Sequence, residues 1–273
     1  MANKNTWRAW RFEKDRWVEG GSVSVADRGF RYGMSVFETL AVREGRVLFP
    51  EEHLTRLFAA MEQLKWTGDD FWKKGIRDFF SSEKLDDGVV RLFVTAGEGG
   101  ILDSPTEHGL YALWEAIPFP DEADIARGLN ICSVKQNTPS VFPGMKTGNY
   151  WNHIHALQEA RRLKMDECLV FGTHDELISA AMANVFLYSG DRWITPRLDV
   201  GARNGVLREW LLKNSISEEA EIHRMDMASV EEIILVNSRI GVLPVGVLDG
   251  SALRGMQGGQ KLAAKYLSEV VHA

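Results

Sequence analysis

The spacing of apolar residues near the start of the chain is typical of short β-strands. Residues 7–48 predict several strands, among them 22–25, where apolar and polar side chains alternate, and the β-rich run 36–42. Residues 27–29 are expected to form a turn, and the Glu-Gly pair at 44–45 to form the tight turn of a hairpin. This part of the chain is therefore expected to consist of strands and turns.

A helical pattern follows. Pro50, Glu51 and Glu52 predict a helix start, because proline is tolerated in the first turn and acidic side chains favour the positive end of the helix dipole. The apolar stripe of this helix consists of Leu54, Leu57, Phe58, Met61 and Leu64. A second helix is expected at about 70–80.

Strands and helices are intermixed in the remainder of the chain. Strands are predicted at 89–95, 110–114, 129–134, 167–171, 183–188, 193–196 and 233–236, and helices after residue 150, at 205–213 and at 260–271. Two prolines in 117–122 prevent a regular helix and indicate a linker. We therefore expect two domains, residues 1–117 and 123–273, joined by 118–122, in an α+β or α/β arrangement.

Composition excludes several classes of protein. With 273 residues, a net charge of −6 and a pI of about 5.7, the chain is unlike proteins that bind the nucleic-acid backbone. Cys132 and Cys168 are too few for a disulfide framework or a four-thiolate metal site, and they fit a reducing cytoplasm. His53, His153 and His155 show no metal-binding spacing, so no metal is expected. No apolar run reaches the length of a membrane span, so we expect a cytoplasmic protein without a membrane partner.

One lysine stands at a junction between a loop and a helix. Pro143 and Gly144 interrupt regular structure just before Lys146, and helical spacing begins at Tyr150. Such a lysine can be held against a concave site. Taken by itself, the local pattern favours a solvated lysine in a surface loop.

Several segments, in the same order along the chain, resemble the class IV aminotransferase family, which includes branched-chain aminotransferases, D-amino-acid aminotransferases and aminodeoxychorismate lyase. The segments are 27–39, 52–57, 146–150, 184–186, 195–196, 205–208, 237–238 and 244–245. The resemblance implies an α+β fold like that of D-amino-acid aminotransferase, with a small N-terminal α/β domain and a larger C-terminal mixed α/β domain that is barrel-like. It also implies a homodimer and the cofactor pyridoxal 5′-phosphate (PLP).

The resemblance assigns roles to matching positions. Lys146 would bind the cofactor covalently and move a proton, a task that suits an amine with an adjustable pKa. Arg56 would make a two-pronged contact to the cofactor phosphate. Val206 and Leu207 would offer backbone N–H groups to the same phosphate at a helix start, and Ser238 would add a hydroxyl.

Three further residues receive less specific roles from the resemblance. Tyr150 would contact the phenolic oxygen of the cofactor. Arg91 and Arg239 are candidates for binding the substrate carboxylate. The partners implied are small amino acids and keto acids.

Ser179 departs from the family pattern. The family has a glutamate five residues before the asparagine matched by Asn184, and this glutamate keeps the pyridine nitrogen protonated. A serine hydroxyl can instead donate to a neutral ring nitrogen, which weakens the cofactor as an electron sink. Asp175 or Glu176 would supply the carboxylate only if the strand were shifted.

The sequence therefore predicts a PLP-dependent class IV aminotransferase that acts on a small amino acid, of the branched-chain or D-amino-acid type. Two alternatives stay open because of Ser179. One is a lyase like aminodeoxychorismate lyase, and the other is a family member that has lost catalysis.

Overall fold

The computed structural model describes residues 6–66, 71–105, 107–135, 142–215 and 217–273. The chain divides into two compact units. The N-terminal unit consists of Met1–Pro118 together with Met145–Asn149, and the C-terminal unit consists of Phe119–Gly144 together with Tyr150–Ala273. Among the described residues, no helix combines the length and the apolar character that crossing a membrane requires.

The N-terminal unit contains an antiparallel sheet of six strands in the order β2-β1-β6-β5-β3-β4. Its strands are Trp7–Glu13 (β1), Arg16–Glu19 (β2), Ser35–Arg43 (β3), Arg46–Val47 (β4), Gly88–Thr95 (β5) and Gly109–Glu115 (β6). Its helices are Arg28–Tyr32 (α1), Pro50–Gln63 (α2) and Phe71–Ser82 (α3).

Helix α2 confirms the predicted start and the predicted apolar stripe. It begins at Pro50, and it packs against β3 through Leu54, Leu57 and Met61, each of which is buried. The hairpin turn between β3 and β4 is also confirmed, because Glu44 and Gly45 both have positive φ. This packing puts the buried side of β3 against α2.

Two predictions for the first 35 residues are wrong. Residues 22–25 form no strand, and 27–29 are not a simple turn, because Arg28 opens α1. The Asp27 carboxylate caps this helix by accepting from the Gly29 N–H at 2.6 Å, and Gly33 ends it in the left-handed conformation. One cap at each end was sufficient to stabilise a short helix in a sequence that is typical of a turn.

The C-terminal unit contains a mixed sheet of nine strands. Eight of them follow the order β12-β11-β10-β13-β14-β7-β8-β9, and β15 pairs with β14. The strands are Leu129–Lys135 (β7), Glu167–Phe171 (β8), Leu177–Ala180 (β9), Asn184–Ser189 (β10), Arg192–Pro196 (β11), Ser217–Ala220 (β12), Glu232–Asn237 (β13), Gly241–Leu248 (β14) and Ser251–Ala252 (β15).

Four α-helices accompany this sheet: Glu122–Arg127 (α4), Trp151–Arg162 (α5), Val206–Asn214 (α6) and Gln257–Tyr266 (α7). Short 3-10 helices cover Leu198–Val200 and Arg224–Ser229, and a π-helical turn at Leu267–Val271 follows α7. Strand β14 was not predicted, because Pro244 and two glycines argue against a strand. It is nevertheless a buried central strand, paired with β13 and β7.

Helix α4 was not predicted. It begins at Glu122, the last residue of the expected linker, and its N-terminus is capped by Asp121. The Asp121 side chain accepts from the Asp124 N–H at 2.9 Å, and Asp124 reciprocates. The prolines before it limit where the helix begins but do not prevent it.

Candidate functional site

Lys146 belongs to a segment that runs along the free edge of β3. The Phe37 N–H donates to the Lys146 carbonyl at 2.9 Å, and the Gly148 N–H donates to the Ser35 carbonyl at 2.8 Å. The Lys146 amine lies 4.2 Å from the centroid of the Phe37 ring. The side chain is half-buried over an aromatic face, so it is not a lysine that extends into solvent.

The next residue of β3 carries a buried carboxylate. Successive side chains of a strand point to opposite faces, so Phe37 reaches the lysine while Glu38 reaches α2. Arg56 donates to Glu38 through Nε at 2.7 Å and through Nη2 at 2.6 Å. His53 Nδ1 lies 2.8 Å from Glu38 Oε2. Glu38 and His53 are each only 1% exposed.

The surroundings of Glu38 and His53 shift the pKa of each side chain and so fix its charge. Burial by itself would raise the pKa of Glu38, but the charge and hydrogen bonds of Arg56, together with the hydrogen bond from His53, outweigh it and keep that pKa well below its usual range. Burial lowers the pKa of His53, and the charges of Arg56 and Lys146 lower it further against the opposing effect of Glu38. His53 is thus a neutral imidazole whose Nδ1–H donates to an ionised Glu38.

The sequence pattern assigns no role to Glu38, and it marks His53 only as a histidine without metal-binding spacing. A charged residue at a core-facing position of an apolar strand is the signal that would have identified Glu38. His53 is buried and lies one helical turn before Arg56. The structure joins these two residues to Arg56 in one hydrogen-bonded cluster.

Arg91 lies on β5, opposite Thr39 of β3 and Leu113 of β6. It forms an ion pair with Glu115 of β6. Arg91 thus lies in the same unit as Lys146 and Arg56, but its charge is paired with a carboxylate.

In the C-terminal unit, Asn184 fixes the turn that precedes α6. Its Nδ2 donates to the Arg203 carbonyl at 2.7 Å, and its Oδ1 lies so close to Gly205 that a Cβ on residue 205 would be 2.0 Å from it. Helix α6 then starts at Val206, with Leu207 also buried. No side chain caps this helix N-terminus, so its first N–H groups suit an anion.

Tyr150 lies between the loop after β9 and the turn before α6. Its ring stacks on His153 with centroids 4.6 Å apart, and His153 Nδ1 lies 2.8 Å from the Ala181 carbonyl oxygen. The Arg203 guanidinium carbon lies 5.7 Å from the Tyr150 ring centroid. The loop after β9 and the turn before α6 thereby meet at Tyr150.

Ser179 lies in β9, opposite Val170 of β8. The two acids before it are engaged elsewhere. Asp175 forms an ion pair with Lys135 at 3.2 Å, and Glu176 accepts from the His174 N–H at 2.9 Å within the turn between β8 and β9. This register leaves a hydroxyl, and no carboxylate, at position 179.

Ser238 and Arg239 lie in the turn between β13 and β14. Asn237 organises this turn, because its Oδ1 accepts from the Arg239 N–H at 2.8 Å while its Nδ2 donates to the Met182 carbonyl at 2.9 Å. The Arg239 side chain is exposed, and Ser238 is half-buried. Since Asn184 pairs with Val236 of β13, this turn and the start of α6 lie at the same end of the sheet.

Glu167 is a second buried carboxyl that the sequence did not single out. Burial raises its pKa to about 7, although hydrogen bonds from the backbone of Cys168, Met182 and Ala181 oppose the shift. Its Oε1 accepts from the Cys168 N–H at 3.0 Å. Together with His153 and Asn237, it holds the loop that follows Ser179. In the described part of the chain, no group of histidine, cysteine or acidic side chains has a metal-binding arrangement.

Comparisons with known proteins agree with this architecture. The chain is 22% identical to D-alanine aminotransferase of Listeria monocytogenes over 272 residues, which cover 93% of each protein. It superposes on 4-amino-4-deoxychorismate lyase of Pseudomonas aeruginosa with a TM-score of 0.82 and 26% identity, covering 96% of this chain and 99% of that one. It superposes on a branched-chain aminotransferase of Thermoproteus uzoniensis with a TM-score of 0.83 and 20% identity, covering 95% and 93%.

The family model for amino-transferase class IV matches residues 35–247, which is most of the chain. This match includes β3 with Glu38, helix α2 with Arg56, the Lys146 segment, and the turn before α6. The predicted family and the predicted two-sheet α+β fold are therefore confirmed. The chain belongs to the class IV aminotransferase family, whose members are PLP-dependent aminotransferases and lyases.

Proposed function

We propose that this protein binds PLP and is an aminotransferase acting on a small amino acid, of the branched-chain or D-amino-acid type. The observation that carries the proposal is the pairing made by β3. Its consecutive residues Phe37 and Glu38 hold the Lys146 amine and Arg56, respectively, in one unit. These are the amine and the phosphate-binding cation that PLP chemistry requires.

The residues of each unit fit the cofactor. In the N-terminal unit, Lys146 offers an amine and Arg56 a cation. Arg56 donates to Glu38 through Nε and Nη2, and this pairing holds the guanidinium in place as a cation for the phosphate. In the C-terminal unit, the uncapped N–H groups of Val206 and Leu207 suit the same phosphate.

The remaining assignments rest on the family resemblance. Ser238 adds a hydroxyl donor to the phosphate, and Tyr150 donates to the phenolic oxygen. When bound, PLP supplies the electron sink that stabilises negative charge at the substrate α-carbon. Lys146 moves the proton at that carbon, while the Phe37 ring beneath the amine excludes water and keeps the amine in place. Arg91 and Arg239 remain our candidates for the substrate carboxylate.

Absorption spectra test this proposal. The purified wild-type protein with added PLP is expected to develop the visible band of lysine-bound cofactor, and Lys146→Ala is expected to abolish it. Lys261→Ala is the matched control, because Lys261 is exposed on α7. A wild-type protein that stays colourless with added PLP would overturn the proposal. So would a biological role that survives Lys146→Ala, because it would indicate a non-catalytic family member.

A lyase reaction is the second candidate, and Ser179 favours it. With no carboxylate at the ring nitrogen, the electron sink is weakened and transamination is slowed. Incubation with a panel of amino acids separates the candidates. Bleaching of the band with formation of the keto acid that corresponds to the added amino acid, and without free ammonia, supports transamination. Release of free ammonia, or of pyruvate from an amino acid other than alanine, supports the lyase. Ser179→Glu is expected to speed bleaching by amino acids, and unchanged bleaching would refute this electronic role of Ser179.

We further propose that the enzyme is a cytoplasmic homodimer. Large apolar side chains are exposed in the N-terminal unit, including Leu102 at 93%, Val25 at 76% and Phe30 at 68%. A second copy of the chain would cover such residues. Light scattering during size-exclusion chromatography is expected to give twice the mass of the chain, and the mass of one chain would contradict the homodimer.

A further inference from the structure

Arg203 occupies a turn whose backbone is locked on both sides. The Arg203 carbonyl accepts from Asn184 Nδ2 at 2.7 Å and from the Gly205 N–H at 2.9 Å. Asn184 also closes the space beside Gly205, as described above. The backbone position from which the Arg203 side chain extends, just before α6, is therefore fixed.

The Arg203 side chain lacks the partners that its neighbours have. The arginines on either side of it, Arg197 and Arg208, form ion pairs with Asp199 and Glu219. Within the described ranges, Arg203 forms no ion pair, and its buried Nε has no hydrogen-bond acceptor. A buried guanidinium N–H without an acceptor is unfavourable, and a bound molecule that offers an acceptor to Arg203 Nε would remove this cost.

The surroundings of Arg203 indicate which part of a bound molecule would lie beside it. Its guanidinium carbon lies 5.7 Å from the Tyr150 ring centroid. In the same turn, a Cβ on Gly201 would lie 3.9 Å from Ile178 Cγ2, so this turn packs against β9, the strand that carries Ser179. Arg203 therefore lies in the region where the ring of PLP is expected under the proposed function. Position 179 itself carries a hydroxyl where the family has a carboxylate.

We propose that Arg203 places a positive charge beside the ring of the bound cofactor, in the region where the family has a carboxylate, and keeps the ring nitrogen unprotonated. The inference rests on the proposed function. A nearby cation disfavours protonation of a base, and both the Arg203 Nε–H and the Ser179 hydroxyl can donate to the lone pair of a neutral ring nitrogen. The family places a negative charge in this region, which strengthens the electron sink. This chain places a positive charge there instead.

Nuclear magnetic resonance of PLP labelled at the ring nitrogen tests this directly, without an activity assay. In the wild-type protein, the nitrogen resonance at neutral pH is expected at the unprotonated position. In Arg203→Leu, the pH midpoint for protonation of this nitrogen is expected to rise by about one to three pH units. Arg203→Lys keeps the charge and is expected to retain a midpoint near that of the wild type.

The matched control is Arg197→Leu, which removes an exposed arginine from the preceding connection and is expected to leave the midpoint unchanged. If Arg203→Leu does not fold, Arg203→Met removes the same charge with an unbranched side chain. A parallel titration compares the affinity of each variant for PLP and for pyridoxal, which lacks the phosphate.

Three results would overturn the proposal while leaving the proposed function intact. They are a protonated ring nitrogen in the wild type, a midpoint that Arg203→Leu does not move, and a variant that loses affinity for PLP but not for pyridoxal. The last result would put Arg203 on the phosphate. A wild-type protein that binds no PLP would instead refute the proposed function itself.

Discussion

At the scale of single residues, the surroundings of a buried carboxyl decide whether that carboxyl is charged. Glu38 is ionised because Arg56 and His53 surround it, whereas Glu167 is held by backbone N–H groups and has no cation close enough to offset its burial. The two buried carboxyls therefore shift in opposite directions. Each shift leads to a different dependence of stability on pH.

Glu38→Gln is expected to destabilise the protein by roughly 3–5 kcal/mol, because it leaves Arg56 beside a neutral amide in a largely buried site. Since folding lowers the pKa of Glu38, its contribution is present above the ordinary pKa of about 4.5 and declines at lower pH. Urea unfolding at neutral and acidic pH measures both effects. Glu51→Gln, an exposed change on helix α2, is the control. Equal unfolding midpoints for Glu38→Gln and the control would contradict this role.

Glu167→Gln is expected to show the opposite trend. Folding raises the pKa of Glu167 from 4.5 to about 7, so its contribution is fully present below pH 4.5 and is lost as the pH rises to 7. The difference of about 2.5 units corresponds to about 3 kcal/mol. Relative to the wild type, the free energy of unfolding of the glutamine variant should therefore increase by about this amount between pH 4.5 and pH 7. Parallel pH curves for the two proteins would refute the prediction, and Glu159→Gln, at an exposed position, is the control.

At the scale of elements, β3 and α6 each position candidate functional groups within their own unit. β3 carries Phe37 toward Lys146 and Glu38 toward α2, and it can do so because adjacent strand residues face opposite ways. α6 begins immediately after a turn that Asn184 holds, which leaves its N-terminal N–H groups without a side-chain cap. Side-chain alternation in β3 and the helix start of α6 thus each fix where a functional group lies.

Gly205→Ala tests the role of the turn before α6. A Cβ at this position would lie 2.0 Å from Asn184 Oδ1, so the turn must move. We expect a loss of about 1–3 kcal/mol in stability, together with weaker PLP binding, because the helix start would shift. Thermal unfolding and a PLP titration measure the two effects. The additional change Asn184→Ala removes the clash and should recover part of the stability. A Gly205→Ala variant with wild-type stability and PLP affinity would show that the close approach does not matter.

At the scale of the whole molecule, each unit has its own core and its own share of the site residues. A ligand that binds only the folded protein raises its stability by mass action, by about 2.7 kcal/mol at a hundred times its dissociation constant. PLP is therefore expected to raise the thermal unfolding midpoint of the wild type. It should raise that of Lys146→Ala much less, and differential scanning fluorimetry measures both shifts. Equal shifts in the two proteins would indicate that PLP stabilises the chain without Lys146.

The amino-acid sequence by itself determined the family, most of the strands and helices, the start and apolar stripe of α2, and the lysine segment, since these depend on local periodicity and on motifs in a fixed order. It missed α4, β9, β12, β14 and β15 and misjudged residues 22–29. At α1, α4 and β14, capping bonds and burial outweighed local propensity. Only the tertiary structure decided that Glu38 and His53 hold Arg56, that Arg91 is paired with Glu115, and that Arg203 lies beside Tyr150 without an acceptor among the described residues. These relations join residues that are distant in the chain, and burial, which no local pattern fixes, sets the charge of each group.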